Sequence, residues 1–303
     1  MKISIVVPVY NGASTIRELV HTIFKELADY IVEIILVNDA SADNSETVGN
    51  QLANDFEQVK FISLRRNYGE HNAVLCGLHY MTGDYVAIID DDFQNPPSEI
   101  IKLVEEAQKG YDVVYSYYAE KKHSSWRNWG SRINDYFPTQ LLEKPRSLYL
   151  SSFKVINWAV VQEIIKYRGP FPYIDGLIWR VTNNYSRVLV EHSQRKEGQS
   201  NYTFRKLVRL YLNMFLNFSI KPLRVFTLIG LLSTLLGFIL SLAFVYEWFV
   251  NENIPSGWTS LSIIIFTFSG VQLIFMGLIG EYIGKLYLDQ NGTPQWTVKI
   301  ENV

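Results

Sequence analysis

The chain of 303 residues carries 28 Lys+Arg against 30 Asp+Glu, a formal net charge of −2, which argues against the basic footprint of a nucleic-acid binder. A single cysteine, Cys76, excludes a disulfide framework and a thiolate zinc cage, and the five histidines include no His-x-x-x-His pair. Charge is uneven: residues 1–220 hold 24 Lys/Arg and 25 Asp/Glu, residues 221–303 only 4 and 5, so a boundary falls near Lys221-Pro222.

In chain order, residues 3–9 form a short apolar run of the kind a buried strand shows, and Tyr10-Asn11-Gly12 ends it. Ile16, Leu19, Val20, Ile23, Phe24 and Leu27 then recur at helical spacing. Residues 33–37 read as a second strand, 38–44 as a polar loop, and the stretch to about 56 as a helix. A third strand over 59–64, a helix over 73–82 and a fourth strand over 85–89 follow, the last running into Asp90-Asp91-Asp92. Pro96-Pro97 suits the first turn of a helix that continues to 108, and 113–117 reads as a fifth strand. Alternating strands and helices predict an α/β fold around a doubly wound, mostly parallel sheet. Such sheets bind ligands at the carboxyl ends of their strands, so the polar loops 8–12, 38–44 and 90–94 are expected to converge on one crevice. No G-x-G-x-x-G or G-K-[ST] loop occurs, which disfavours a dinucleotide dehydrogenase and a P-loop NTPase.

Three adjacent carboxylates at a strand end repel one another, and a cation relieves the repulsion. Asp90 and Asp92 share one side of an extended chain, and hard oxygen ligands select Mg2+ or Mn2+. Gln94 adds a neutral oxygen to this candidate metal set. An ion held there would neutralise a nucleoside diphosphate as it leaves. Further along, Arg195 sits in the Gly/Ser-containing stretch Gln194-Arg195-Lys196-Glu197-Gly198-Gln199-Ser200-Asn201-Tyr202, and arginine suits bidentate phosphate contacts.

Residues 203–219 place Phe204, Leu207, Val208, Tyr211, Leu212, Phe215 and Phe218 at helical spacing with Arg205, Lys206 and Arg209 largely elsewhere, the pattern of an interfacial helix beside lipid phosphates. Residues 225–246 and 259–280 are each 22 residues without a charge. A helix of that length covers roughly 33 Å, enough for a hydrocarbon core of about 30 Å. Trp248 and Trp258 flank the link between them, as an aromatic belt would. Lys221, Arg224 and Lys285 lie outside the two spans and the link has no Lys or Arg, so both termini are expected in the cytoplasm. The run at 3–9 is too short for a signal-peptide core. The expected organisation is a cytoplasmic catalytic domain over 1–202, an amphipathic interfacial helix over 203–220, and a two-span transmembrane hairpin with a short cytoplasmic tail over 221–303.

Together these residues resemble family 2 glycosyltransferases of the GT-A fold. The nearer resemblance is to the group that acts on polyprenyl phosphates: dolichyl-phosphate mannose synthases, bactoprenol glucosyltransferases and undecaprenyl-phosphate aminoarabinose transferases. It is carried by Val7-Pro8-Val9-Tyr10-Asn11, Val37-Asn38-Asp39-Ala40-Ser41-Ala42-Asp43, Arg66-Asn67-Tyr68-Gly69, Asp90-Asp91-Asp92-Phe93-Gln94-Asn95-Pro96-Pro97, the loop from Arg195 to Tyr202, and Gly280-Glu281-Tyr282-Ile283-Gly284-Lys285. The resemblance implies that Pro8, Tyr10, Val37 and Asp39 hold the base and ribose of a nucleotide sugar. Asp90 and Asp91 would lie at the nucleotide, Arg195 would grip the diphosphate, and Arg127, Ser200 and Asn201 would belong to the same donor site. It further implies a bacterial inner or plasma membrane location, a metal at Asp90, Asp92 and Gln94, and a polyprenyl phosphate acceptor, with uridine favoured over guanosine as the base.

Four positions depart from the family pattern. Asn38 replaces the first aspartate of an Asp-Asp pair, Asn201 stands where lysine is usual, and Tyr117 sits where some relatives place arginine. Ser152 takes the place of an aspartate proposed as a base. A phosphate acceptor tolerates that loss, because its second pKa near 6 leaves the attacking oxygen anionic. The expected reaction is a single inverting transfer, with Asp92, Arg195 and Ser152 at the reacting centre. Two rivals are a processive polysaccharide synthase, which needs more spans and a Gln-x-x-Arg-Trp motif, and a membrane scaffold that keeps only the nucleotide site. The sequence leaves monomer and homo-oligomer both open.

Overall fold

The computed structural model describes residues 1–118, 148, 150–169, 171–191, 193, 228–230, 232, 235, 239, 242, 246, 250 and 257–303. The apolar runs become strands buried on both faces, as their composition requires. β1 (Lys2–Val9), β2 (Ile31–Asn38), β3 (Val59–Leu64) and β4 (Tyr85–Ile88) are parallel, in the order β3-β2-β1-β4. Beyond β4 lie β6 (Lys154–Asn157), β5 (Val113–Tyr117) and β7 (Tyr185–Leu189). β6 is antiparallel to both neighbours, and β7 is parallel to β5. A last strand, β8 (Val298–Asn302), closes the opposite edge antiparallel to β3.

Helices cover the sheet: α1 (Ile16–Glu26), α2 (Ser45–Asp55), α3 (Glu70–Leu78), α4 (Glu99–Ala107), α5 (Trp158–Ile164) and α6 (Ile174–Val181). α1 shows why: Ile16, Leu19, Val20 and Ile23 form one buried stripe, with Glu18 in the first turn and Lys25 in the last, each suited to the helix dipole. Two helix starts differ from the sequence expectation. α3 begins at Glu70 rather than 73, because Gly69 at φ 91 turns the chain there and the Asp39 carboxylate accepts its N–H. α4 begins at Glu99 because the Pro96 and Pro97 carbonyls are spent on a tighter preceding turn, accepting from the N–H of Glu99 and Ile100.

The chain forms two compact units: Met1–Tyr211 with Thr293–Val303, and Leu212–Gly292. The tail after the expected second span is therefore not a free appendage; it supplies β8 to the sheet of the first unit. In the second unit, α7 (Trp258–Gln290) runs 33 residues, about 50 Å. Within it, Phe268–Gln290 is the one helix among the described residues that is long and apolar enough to cross a membrane. The described residues of the expected first span are helical. A Cβ on Gly230 would stand 3.6 Å from the Phe275 ring, so the two apolar helices approach closely there. The remainder of that span and the expected interfacial helix at 203–220 lie outside the described residues.

Candidate active site

β4, β1 and β2 are neighbours, so the loops that follow them are neighbours too. Each of these loops contains one non-glycine residue with positive φ: Asn11 at 57°, Ala40 at 52° and Phe93 at 59°. No other described non-glycine residue does so, and strain confined to three adjacent loops marks a functional edge. The first two loops are stitched together. The backbone N–H of Asn11, Gly12 and Ala13 donate to Ser41 Oγ (2.9 Å), Ser45 Oγ (2.9 Å) and Asp43 Oδ2 (3.0 Å). Asn11 Oδ1 accepts in return from the N–H of Ala42 at 2.9 Å. The third loop closes against the first: a Cβ on Gly12 would lie 2.1 Å from Asp91 Oδ2. The three loops expected from strand order to converge therefore meet, with Gly12 at the contact between the first and the third.

Of the residues expected to hold a nucleotide, Tyr10 is exposed at the crevice and Pro8 is half-buried near the end of β1. Val37 is fully buried, and its Cγ2 lies 3.2 Å from a Cβ built on Gly77 of α3, so its side chain belongs to the core. Asp39 is buried and accepts from the N–H of Tyr68 (2.7 Å) and Gly69 (2.8 Å), which ties the β2 loop to the β3–α3 turn. Burial pushes its carboxyl above the usual range while those two N–H groups pull against the shift.

Asp90 follows β4 beside the start of β6, since Ile88 pairs with Lys154. Ser152 Oγ donates to Asp90 Oδ2 at 2.7 Å. Burial, then the negative charge of Glu70 at the start of α3, drives the Asp90 carboxyl up to about 7; Asp92 adds to the rise, while the Ser152 hydrogen bond and the Lys154 ammonium oppose it. Asp92 is buried and its Oδ1 accepts the Gln94 N–H at 3.0 Å. Gln94 in turn accepts the Ser193 N–H at 2.9 Å. Among the described residues no three His, Cys, Asp or Glu side chains converge as a ready cage. The donor set nevertheless fits a hard cation: a carboxyl held toward its neutral form by burial and by the negative charges of Glu70 and Asp92 gains from a positive charge beside it. Two carboxylates leave open positions, as suits an ion completed by substrate phosphates.

Sequence reasoning missed a second layer. Lys154 is buried in β6 and forms an ion pair with the buried Asp175 of α6. The His71 ring meets Tyr173 edge-on at 5.0 Å, and burial, with Lys154 adding and Asp175 opposing, holds His71 down to about 4. This layer braces the floor behind Asp90. Glu70 follows directly on the Arg66–Gly69 stretch, and that position was the one available signal; the Lys154–Asp175 pair is 21 residues apart and has none. Arg127, Arg195, Ser200 and Asn201 lie outside the described residues.

Three loops held together at the carboxyl edge of a doubly wound sheet, with Asp90 and Asp92 on the one after β4, stand where such sheets bind ligands. Residues 4–165 match the family described as Glycosyl transferase family 2, and residues 221–286 match GtrB C-terminal hairpin. The chain belongs to glycosyl transferase family 2 and is a glycosyltransferase. It is 34% identical over 307 residues to an undecaprenyl-phosphate 4-deoxy-4-formamido-L-arabinose transferase of Pseudomonas aeruginosa (strain LESB58), covering 98% of this chain and 89% of the relative. The enzyme of that name from Yersinia pestis (strain Pestoides F) is 33% identical over 303 residues, with 98% and 93% covered. Among solved structures, glucosyl-3-phosphoglycerate synthase from Mycobacterium tuberculosis in complex with Mn2+, UDP and phosphoglyceric acid shares the fold. Its TM-score is 0.51 at 19% identity, over 70% of this chain and 75% of that one.

Proposed function

We propose that the protein transfers one sugar from a nucleotide sugar, UDP-linked in preference to GDP-linked, to a membrane polyprenyl phosphate such as undecaprenyl phosphate. The observation that carries this reading is the acidic run Asp90-Asp91-Asp92 at the tip of β4, which meets, through Asp91 at Gly12, the loops knitted together after β1 and β2. Full-length similarity to undecaprenyl-phosphate sugar transferases supports the acceptor class. In the reaction, an acceptor phosphate oxygen forms a bond to the anomeric carbon from the face opposite the donor phosphate. The bond from that carbon to the nucleoside diphosphate breaks, its electron pair leaves with the diphosphate, and the anomeric centre inverts. With its second pKa near 6, the acceptor is anionic at neutral pH and needs no side chain to remove a proton.

Ser152 fits this scheme as a positioning residue. Its hydroxyl is committed to Asp90 at 2.7 Å, so it orients a carboxylate rather than acting as a base. Asp90 and Asp92, with Gln94, would hold Mg2+ or Mn2+, and such an ion supplies positive charge against which a diphosphate can leave. Asp39, Tyr10 and Pro8 would cradle the nucleoside, and Arg195, Arg127, Ser200 and Asn201 would serve the phosphates.

A membrane anchor supports the same acceptor. The first and last strands among the described residues, β1 and β8, share one sheet, although the apolar unit lies between them in sequence. A chain that leaves a compartment and returns to it crosses the bilayer an even number of times, which favours two spans and both termini in the cytoplasm. The test is transfer of radiolabelled sugar to extracted polyprenyl phosphate by the purified full-length protein. Wild type should yield one sugar per lipid and Asp92→Ala none, with membrane insertion intact. Unchanged turnover in Asp92→Ala would overturn the metal role, and a polymeric product would overturn the single transfer.

A further inference from the structure

The segment that follows α7 is bonded to the turn that Asp39 holds. Tyr68 OH and Thr297 Oγ1 lie 2.6 Å apart. The backbone N–H of Arg65 donates to the Thr297 carbonyl at 2.9 Å, and Arg65 Nε donates to the Val298 carbonyl at 3.1 Å. The same Tyr68 gives its backbone N–H to Asp39 Oδ1 at 2.7 Å. The β3–α3 turn is thus gripped from both sides, by Asp39 of the β2 loop and by Thr297 of the C-terminal segment. A second line runs from the neighbouring residue. Asn38 Nδ2 donates to Ser63 Oγ (3.0 Å), Ser63 Oγ donates to Glu46 Oε2 (2.8 Å), and Lys299 Nζ meets Glu46 Oε1 at 2.7 Å. Adjacent residues at the end of β2, Asn38 and Asp39, therefore each connect to the C-terminal segment, Asn38 through side chains and Asp39 through Tyr68.

We propose that Thr297, acting through Tyr68, is a positioning residue for donor binding: the C-terminal segment sets the β3–α3 turn, and that turn sets the Asp39 carboxylate. The inference rests on the donor-site reading above. Gly69 at φ 91 gives the turn a conformation that other residues rarely adopt, and Asp39 and Thr297 hold it there together with Asn72, whose Nδ2 donates to the Tyr68 carbonyl at 2.8 Å. The Lys299–Glu46 pair is half-exposed and carries less, as exposed pairs do.

The test uses the full-length protein in detergent, with UDP and Mn2+ as the probe, calorimetry for affinity, and steady-state kinetics for KM and kcat. Thr297→Val and Tyr68→Phe each remove one partner of a single hydrogen bond. Each should weaken UDP binding about fivefold, the size of one lost hydrogen bond, and raise KM for the donor with kcat little changed. Because both remove the same contact, the double variant should be no worse than either single one. Thr297→Ser, which restores the hydroxyl, should return wild-type affinity. A lowered melting temperature with unchanged UDP affinity and donor KM would overturn the inference, leaving Thr297 a stabilising residue only. So would additive losses in the double variant. Wild type that binds neither UDP nor GDP would instead overturn the donor site itself, and this inference with it.

Discussion

Ser63 has one hydrogen to give, and Glu46 takes it at 2.8 Å. The residue facing Ser63 from β2 must therefore donate, and the Asn38 amide does, at 3.0 Å, while its carbonyl accepts from Ser41 Oγ at 2.6 Å. The departure of Asn38 from the family's acidic pair thus has a local cause. Asn38→Asp would set a carboxylate against a hydroxyl with no hydrogen left, in a fully buried place. The expected loss is about 1–3 kcal/mol of stability, read as a lower thermal midpoint. Glu33 offers a pH test. Burial works against its ionisation, yet hydrogen bonds from Ser4 and Thr82 and the charge of Lys60 hold its carboxyl down to about 2, against 4.5 ordinarily. Such a depressed carboxylate contributes its full stability above pH 4.5 and loses it as pH falls toward 2. The thermal midpoint of wild type should therefore exceed that of Glu33→Gln at pH 6, and the gap should close on acidification. A constant gap would refute the assignment.

At the scale of elements, the crevice depends on backbone approach. Gly12 leaves room for the Asp91 carboxylate where a methyl group would stand. Gly12→Ala should force the loop after β4 away from the loop after β1, cutting turnover at least about tenfold, the cost of misplacing a reacting group. The melting temperature should fall as well, because Gly12 is buried and the methyl group would also press on Ile16 of the core. β1 to β5 and α1 to α4 were legible because a parallel, twice-covered strand must be almost continuously apolar, and a surface helix must repeat its apolar face. β6 and β8 were not. β6 opens with a buried lysine whose neutralising partner, Asp175, is distant in sequence. β8 reads Val-Lys-Ile-Glu-Asn, a polar alternation at an edge that follows an apolar helix with no turn signal to announce it. The acidic run and the three neighbouring loops could be found from strand ends alone, and Asp39 from the resemblance to the family. Ser152's bond to Asp90 and the Lys154–Asp175 pair are products of tertiary pairing, which no local pattern encodes.

At the scale of the whole molecule, the apolar unit Leu212–Gly292 is an insertion within a single folded sheet. Both of its ends are covalently continuous with the catalytic unit, so the two ends share one side of the membrane if the unit crosses it. Single-cysteine labelling in intact cells checks this. Cys76 is buried and burial pushes its thiol up to about 12, so the native chain should stay unlabelled by an impermeant reagent. Asn253→Cys, between the spans, should label from outside, and Val303→Cys should label only after the membrane is opened. Labelling of both in intact cells would rule out a two-span hairpin.

β8 is synthesised after the hairpin, yet it completes the sheet that the first residues begin. On the ribosome, the growing chain therefore holds an unfinished catalytic unit, with the β3 edge bare, until the apolar helices have already emerged and been delivered to the bilayer. A copy that never reaches the bilayer leaves its apolar helices in water, where they favour aggregation. The order of the gene thus ties the birth of a working transferase to its arrival where its lipid is.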